Sequence, residues 1–427
     1  MRRLRLEGLW RDREFLKLWS GESVSLIGAQ VGTLALPLAA VYELHASAQQ
    51  LGFLNAASYA PFLLASLVIG VWVDRHRRRP LMIWSNIGRA VVFASIPLCA
   101  ALDILQLAYL YAAALVVGTL TVLFDVAYQS YLPSLIGRDH LVEGNSKLQA
   151  SSSVAQIGGP GLAGVLVGWL TAPVAMLVNA GAWLVSTASL LAIRHREPAP
   201  APPAERTSLG RSVTEGLRLV LGDSLLRNCA LHSGTYNMCW LSLQTVFVVY
   251  AARSLGLAPH TIGLVLGVGA VGSLIGAMSA QWMKRRLGLG PAIIVAGVIC
   301  CALPLLIPAA PGRGPLALVL FVLAFAGCGL GGTVATVHMV SLRQAITPAA
   351  MLGRVNSGCR FLSWGPLPLG GVAGGYLSDA LGPRTALVIT GIGFLFALLW
   401  LAFSPVPRLK DFPEPPLTEQ PRAASQL

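Results

Sequence analysis

Long apolar runs alternate with short polar or charged segments along the whole chain. Twelve runs each hold about 20 mostly apolar residues, the length that an α-helix needs to cross a lipid bilayer. The pattern predicts an all-α integral membrane protein with twelve transmembrane helices in two six-helix bundles. The runs lie near residues 15–44, 51–73, 81–102, 107–132, 147–170 and 174–193, and then near 226–251, 261–283, 290–309, 316–340, 357–378 and 384–403.

Composition and charge agree with this interpretation. Hydrophobic residues make up 55% of the 427 positions, and only 11% are charged, against about 25% in a typical soluble domain. Of the 31 Lys and Arg residues, 27 lie in the termini and even-numbered loops and three in odd-numbered loops. The positive-inside rule therefore places both termini in the cytoplasm. The net charge of +13 is then a topology signal and not a nucleic-acid surface.

The two sets of runs suggest four parts of the chain. We expect a first bundle over residues 1–195, a cytoplasmic linker over 196–224, a second bundle over 225–405 and a disordered tail over 406–427. In the linker, the apolar spacing after Ser208 predicts a short amphipathic helix lying on the membrane surface.

The halves repeat weakly at an offset of 211 residues, which favours a pseudo-symmetric pair of bundles. Parallel six-helix repeats are one known transporter architecture. The offset relates Gly52 to Gly263, Asn145 to Asn356, Gly159 to Gly370 and Gly164 to Gly375.

The loop after the second run reads GVWVDRHRRRP over residues 70–80. It resembles the signature loop of the major facilitator superfamily, G-x-L-A-D-R-x-G-R-K, although Arg77 replaces a glycine of that pattern. The resemblance implies a gating role in which the Asp and Arg side chains bridge helices. A basic cytoplasmic loop alone would explain the arginines but not the glycine and the aspartate. The matching positions are Gly70, Asp74, Arg75, Arg78 and Arg79.

A second stretch, AQIGGPGLAGVLVGW at residues 155–169, places glycines and a proline inside the fifth run. It resembles the antiporter signature G-P-x-x-G-G of the same superfamily: Gly159, Pro160 and Gly164 match, and Ala163 replaces a glycine. Small residues permit close helix packing in membranes, and proline bends a helix. We expect a bent, thin helix face that packs across the two halves. The resemblance implies export, whereas generic small-residue packing is the alternative.

Three further segments extend the resemblance over roughly residues 10–405. They are similar to the branch of the superfamily that includes enterobactin exporters and macrolide efflux proteins. The resemblance implies the major facilitator fold, a monomer in a bacterial cytoplasmic membrane, and alternating access. The segments are FDVAYQSYLPSLI (124–136), EGNS (143–146) and RQAITPAAMLGRVNS (343–357).

Charged residues inside a membrane are costly and are functional candidates. Arg89 and Asp125 lie at similar depths, about 13 Å and 12 Å along consecutive antiparallel helices at 1.5 Å per residue, so we predict that they are in contact. Such a pair would either be a static strut or break during gating. Glu22 in the first run has no local partner, and a membrane carboxyl that exchanges a proton is what proton-coupled export requires. A carboxyl near the cytoplasmic end of the helix, either hydrated or paired with a basic residue, is the alternative.

Other polar residues within the spans are candidates for a substrate cavity, although helix–helix hydrogen bonding would explain each of them equally well. These candidates are Gln30, Asn55, Tyr59, Asn237 and Gln244.

The sequence lacks the residue patterns that several classes of function require. None of the four lysines stands in a Gly-Lys-Ser/Thr phosphate-binding pattern, and the seven cysteines form no CxxC pair, so we expect no ATP site, no metal site, no cofactor and no enzymatic activity. The sequence predicts a transporter that exports an amphipathic small molecule (a drug, macrolide or siderophore) by proton antiport, with the proton gradient as its energy source. Its partners would be that substrate, protons and the bilayer. An importer of a metabolite and a membrane receptor or scaffold remain alternatives.

Overall fold

The computed structural model describes residues 8–64, 69, 72–73, 76–137, 140–195, 197, 209–347 and 351–411. These residues form helices and connecting turns, with no β-strand among them. The helices are α1 (Arg13–Tyr42), α2 (Ala48–Leu64), α3 (Arg78–Ala101), α4 (Leu107–Ile136), α5 (Leu141–Leu170), α6 (Ala172–Ala192), α7 (Leu209–Gly222), α8 (Ser224–Val249), α9 (Pro259–Leu287), α10 (Leu289–Ala309, with a 3-10 turn at Leu303–Leu305), α11 (Pro315–Ile346), α12 (Leu352–Trp364), α13 (Leu367–Leu381) and α14 (Pro383–Ala402).

Eight helices in the described part of the chain are individually long and apolar enough to cross a membrane, and the two arms of α5 make a ninth candidate. Apart from α7, each helix overlaps one predicted run, with α12 and α13 sharing the eleventh. The predicted all-α integral membrane fold is confirmed.

Helix ends follow local chemistry. Asp12 precedes α1, and its Oδ1 accepts hydrogen bonds from the backbone N–H groups of Glu14 at 2.9 Å and Phe15 at 3.2 Å. These donors have no partner inside the helix, so a side-chain acceptor satisfies them. Helix α11 starts at Pro315, where the missing N–H costs nothing.

The eleventh predicted run, 357–378, was wrong as a single helix. The structure breaks it at Gly365 and Pro366, between α12 and α13. Proline has no N–H for the preceding turn and its ring clashes with the carbonyl four residues earlier. The run is apolar throughout, so a hydropathy window passes over the break.

The tail prediction was also wrong at its start. Val406 is fully buried, and Val406–Arg408 form a 3-10 turn. The backbone N–H groups of Leu289 and Gly290 donate to the carbonyls of Lys410 and Leu409, at 3.0 and 2.8 Å. The start of α10 therefore holds residues 406–411 in place. Residues 412–427 lie outside the described residues.

Helix α7 is present, but its apolar face meets protein. Val220 is fully buried in a cluster with Leu226 and Cys359. A Cβ on Gly358 of α12 would lie 2.7 Å from the Gly216 backbone. Val220, one of the apolar positions that suggested a membrane surface, therefore packs against protein, whereas the side chains of Leu209 and Val213 lie outside the described residues.

The chain divides into two compact units that do not coincide with the sequence halves. The first comprises Met1–Arg206, Leu241–Val268 and Gly371–Ala386, and the second comprises Thr207–Trp240, Gly269–Gly370 and Leu387–Leu427. The first unit has a core around Phe15, Met82 and Tyr131. The second has a core around Ile293, Val334 and Leu401. The predicted bundle boundaries at 195, 224 and 405 stay a prediction.

Candidate functional site

Arg89 of α3 is a buried cation in the first unit, 4% exposed. Its guanidinium donates to Asn86 Oδ1, one turn earlier on the same helix, and to Thr121 Oγ1 of α4 at 3.3 Å. Asn86 Nδ2 donates in turn to Ser186 Oγ of α6 at 3.0 Å. Burying a charge is costly unless neighbours compensate for lost water, and these polar groups supply part of that compensation.

Two aromatic rings complete the surroundings of Arg89. Its guanidinium carbon lies 4.6 Å from the ring centre of Phe124 and 5.0 Å from that of Trp183. Ring faces attract cations, so both contacts stabilise the charge. Within the described residues, the shielded Nε of Arg89 has no hydrogen-bond partner. The site thus holds a cation with one unused donor.

Two carboxylates join this cation. Asp125 of α4 and Glu22 of α1 both interact electrostatically with Arg89, and with each other. Asp125 lies one helical turn after Thr121, the hydroxyl that Arg89 contacts. The structure therefore brings the three charged candidates into one cluster. A direct Arg89–Asp125 ion pair stays a prediction.

Glu22 is half-buried. Its Oε2 is shielded from solvent and has no hydrogen-bond partner in the described part of the chain. Tyr128 interacts electrostatically with both Glu22 and Asp125, and its ring stacks on Phe124 at 6.0 Å. With both carboxylates ionised, the Glu22–Arg89–Asp125 cluster carries one net negative charge. One bound proton, or one bound monovalent cation, makes it neutral.

The signature loop is described only in part, since Gly70, Asp74 and Arg75 lie outside the described residues. Arg78 and Arg79 form the first turn of α3. The gating role implied for this loop stays a prediction.

Arg78 and Arg79 tie α3 to the end of α6. The Arg78 N–H donates to both carboxylate oxygens of Glu197, at 2.9 and 2.8 Å, and the Arg79 N–H donates to Oε2 at 3.2 Å. The Arg79 guanidinium donates to the carbonyls of Leu190 and Leu191 at 2.9 and 3.0 Å. An anion at a helix N-terminus satisfies free N–H groups and the helix dipole. Sequence reasoning missed Glu197, because nothing in one chain signals this long-range pairing.

The glycine- and proline-rich stretch bends α5. The arms Ala150–Gln156 and Gly158–Leu170 meet at 41°. Pro160 offers no N–H to the carbonyl of Gln156, and loss of one ladder bond is an ordinary cause of a kink. The predicted bend is present.

The thin face of α5 meets two different helices. A Cβ on Gly159 would lie 2.3 Å from the Cβ of Gln30 on α1, within the first half. A Cβ on Gly164 would lie 2.7 Å from the Pro259 carbonyl oxygen and 3.1 Å from the Gly263 Cα on α9. The predicted packing across the two sequence halves is therefore confirmed for Gly164 and wrong for Gly159, which packs within the first half. Ala163, which lies between Gly159 and Gly164 in the sequence, is fully buried.

Two of the cavity candidates donate helix–helix hydrogen bonds, the alternative that the sequence left open. Asn55 Nδ2 donates to Thr245 Oγ1 at 2.8 Å, within the first unit. Asn237 Nδ2 donates to the Ser363 carbonyl at 2.8 Å, within the second. The other candidates are half-buried: Gln30, which packs on Gly159, and Tyr59 and Gln244.

The residues that the structure describes include no group of three or more His, Cys, Asp or Glu side chains placed to hold a metal ion. The expected lack of a metal site stays a prediction.

Comparison with known proteins places this geometry in a family. Residues 18–365 match the family profile of the Major Facilitator Superfamily. The multidrug efflux pump Tap of Mycolicibacterium fortuitum is 27% identical over 390 residues, covering 87% of this chain and 90% of Tap. The enterobactin exporter EntS of Citrobacter koseri is 24% identical over 407 residues and covers 94% of both chains.

A solved structure shares the fold. A bacterial homologue of the iron transporter ferroportin, in its inward-facing state, aligns with a TM-score of 0.71 at 19% identity, covering 92% of this chain and 98% of that one. The profile spans most of the chain and the aligned fold agrees with the observed helices. The chain is an integral membrane protein and belongs to the major facilitator superfamily of transporters.

Proposed function

We propose that this transporter exports an amphipathic small molecule across the bacterial cytoplasmic membrane by proton antiport. The observation that carries the proposal is the Glu22–Arg89–Asp125 cluster on α1, α3 and α4. Charged side chains within a membrane are costly, so they are found there mainly where they serve a function. A membrane-embedded cluster of this kind is therefore a functional candidate.

The arrangement supports antiport by competition. Glu22 Oε2 lacks a hydrogen-bond donor among the described residues, so its capacity to accept a proton, or to pair with the cationic group of a substrate, is unused. Either one neutralises the cluster, and both cannot do so at once. Each would then displace the other as the transporter alternates between its two open states, which exchanges one species for the other.

The direction of transport is supported by two further observations. The bent α5 carries the antiporter-like residues: Gly159 packs on the side chain of Gln30, and Pro160 and Gly164 make close contacts with the backbone of α9. Two curated relatives are named as a multidrug efflux pump and an enterobactin exporter. We therefore propose a drug, macrolide or siderophore-type substrate, a monomeric transporter and cytoplasmic termini.

Everted and right-side-out membrane vesicles test the direction. Vesicles from cells with and without the gene are energised with a proton gradient and offered labelled drugs, macrolides and a siderophore. We expect uptake into everted vesicles that a protonophore abolishes. Uptake only into right-side-out vesicles would make the protein an importer. No gene-dependent flux in either orientation would favour a receptor or scaffold.

A further inference from the structure

The second unit contains a cavity of about 60 Å³ between α8, α11 and α12. A buried water needs roughly 10–15 Å³ of such space, so the cavity holds several waters or one small headgroup, and not a whole drug-sized molecule. Its wall is mostly apolar and also includes polar side chains. The apolar wall includes Leu226, Met339 and Ile346, and the polar side chains include Ser233, Arg343 and Ser363.

Arg343 supplies a positive charge to this cavity. Its guanidinium hydrogen-bonds the thiol of Cys359. Its Nε is shielded from solvent and lacks a partner among the described residues. A buried donor without an acceptor is costly, and an acceptor in the neighbouring cavity would satisfy it.

Asp223 is an acidic side chain near this cavity, and one of its carboxylate oxygens is already engaged. Asp223 interacts electrostatically with Cys229, which also lines the cavity. Its Oδ1 accepts the backbone N–H of Leu226 at 2.9 Å, which caps the start of α8. The carboxylate thus serves a helix terminus and leaves the Arg343 donors for another anion.

We propose that this cavity binds the anionic headgroup, a carboxylate or a phosphate, of an amphiphile. Arg343 is the counter-ion, the Ser363 hydroxyl is an additional donor, and the apolar wall surrounds the first methylene groups. Guanidinium groups are well suited to carboxylate and phosphate oxygens. The site is separate from the Glu22 cluster, and its occupancy requires no proton gradient.

Equilibrium binding of a fluorescent fatty acid tests the proposal. The full-length protein in phosphatidylcholine nanodiscs is titrated with cis-parinaric acid and with its methyl ester, and empty nanodiscs are subtracted. We expect the acid to bind at least tenfold more tightly than the ester. Arg343→Gln should weaken acid binding by at least tenfold. The matched control Arg360→Gln removes an exposed arginine beside Cys359 and should bind as the parent does.

Further arms keep the proposal falsifiable. Ser363→Leu fills the cavity and keeps Arg343, so this variant should also fail to bind the acid. If Arg343→Gln does not fold, Ser363→Leu alone tests whether the cavity is the binding site. Phosphatidylglycerol nanodiscs or inorganic phosphate that compete with the acid only when Arg343 is present would identify a phosphate as the natural occupant. Equal binding of acid and ester, or unchanged binding in Arg343→Gln and Ser363→Leu, would overturn the proposal.

Discussion

Gly164 of α5 and Gly263 of α9 pack backbone against backbone. A Cβ on Gly263 would lie 2.4 Å from the Pro160 carbonyl oxygen and 2.9 Å from the Gly164 Cα. Only glycine permits two membrane helices to approach so closely at these points. The contact joins a helix of the first sequence half to a helix of the second.

The internal repeat uses the same positions twice. The offset of 211 residues relates Gly164 to Gly375 and Gly263 to Gly52. A Cβ on Gly375 of α13 would lie 2.3 Å from the Ala48 carbonyl oxygen, and one on Gly52 of α2 would lie 2.3 Å from the Gly371 carbonyl oxygen. The α5–α9 and α2–α13 crossings are therefore counterparts, each built on one glycine from each pair.

Gly164→Ala should damage the α5–α9 crossing, because the added Cβ meets backbone that cannot move aside. Overpacking of this kind costs about 1–3 kcal/mol. We expect a lower unfolding temperature of the purified protein and reduced transport. Gly168→Ala is the matched control, one turn away with open space around its Cβ, and should not lower the unfolding temperature. Equal effects of the two substitutions would contradict the close crossing.

Gly159→Leu should abolish transport and leave membrane insertion intact. Its side chain would collide with Gln30 of α1, whose Cβ lies 2.3 Å from the position of the new Cβ. Gly161→Leu, on the open side of the same turn, should transport normally. The measurement is substrate flux normalised to the amount of protein in the membrane. Full activity of Gly159→Leu would show that the glycine- and proline-rich stretch of α5 serves only generic small-residue packing.

Arg89 and Asp125 should be energetically coupled. Arg89→Met leaves the half-buried carboxylates of Glu22 and Asp125 without their buried cation, and removing one partner of a fully buried pair costs about 3–5 kcal/mol, which is the upper bound here. Asp125→Asn should also destabilise the protein, and the double variant should be more stable than the two single effects added together imply. A double-mutant cycle of unfolding free energies measures this coupling, and additivity would show that no direct pair exists.

Much of this architecture could be predicted from the order of apolar and polar residues. Hydropathy indicated the number and approximate bounds of the spans, and Pro160 indicated the bend in α5. The break at Gly365–Pro366 lay inside an apolar run, which hydropathy treats as continuous. Residues 406–411 read as a polar tail, since their hydrogen bonds to the start of α10 come from distant sequence.

The candidate site was predictable residue by residue and not as a whole. Glu22, Arg89 and Asp125 were found because charges are rare in membrane spans. Asn86 could have been found too, since it lies three residues before Arg89 on the same helix face. Thr121 and Trp183 carry no such signal, because hydroxyls and aromatic rings are common in apolar helices. Their role depends on how α4 and α6 pack against α3.

We propose that Glu22 exchanges a proton for substrate, and proton movement tests this most directly. Everted vesicles with an established pH gradient, reported by a fluorescent amine, are given the transported substrate. We expect substrate to collapse part of the gradient with the parent protein and with Glu43→Gln, a control at an exposed carboxylate beyond α1. Glu22→Gln should leave the gradient intact while still exchanging substrate down its own concentration gradient. Substrate-driven proton movement in Glu22→Gln equal to that of the parent would contradict the account.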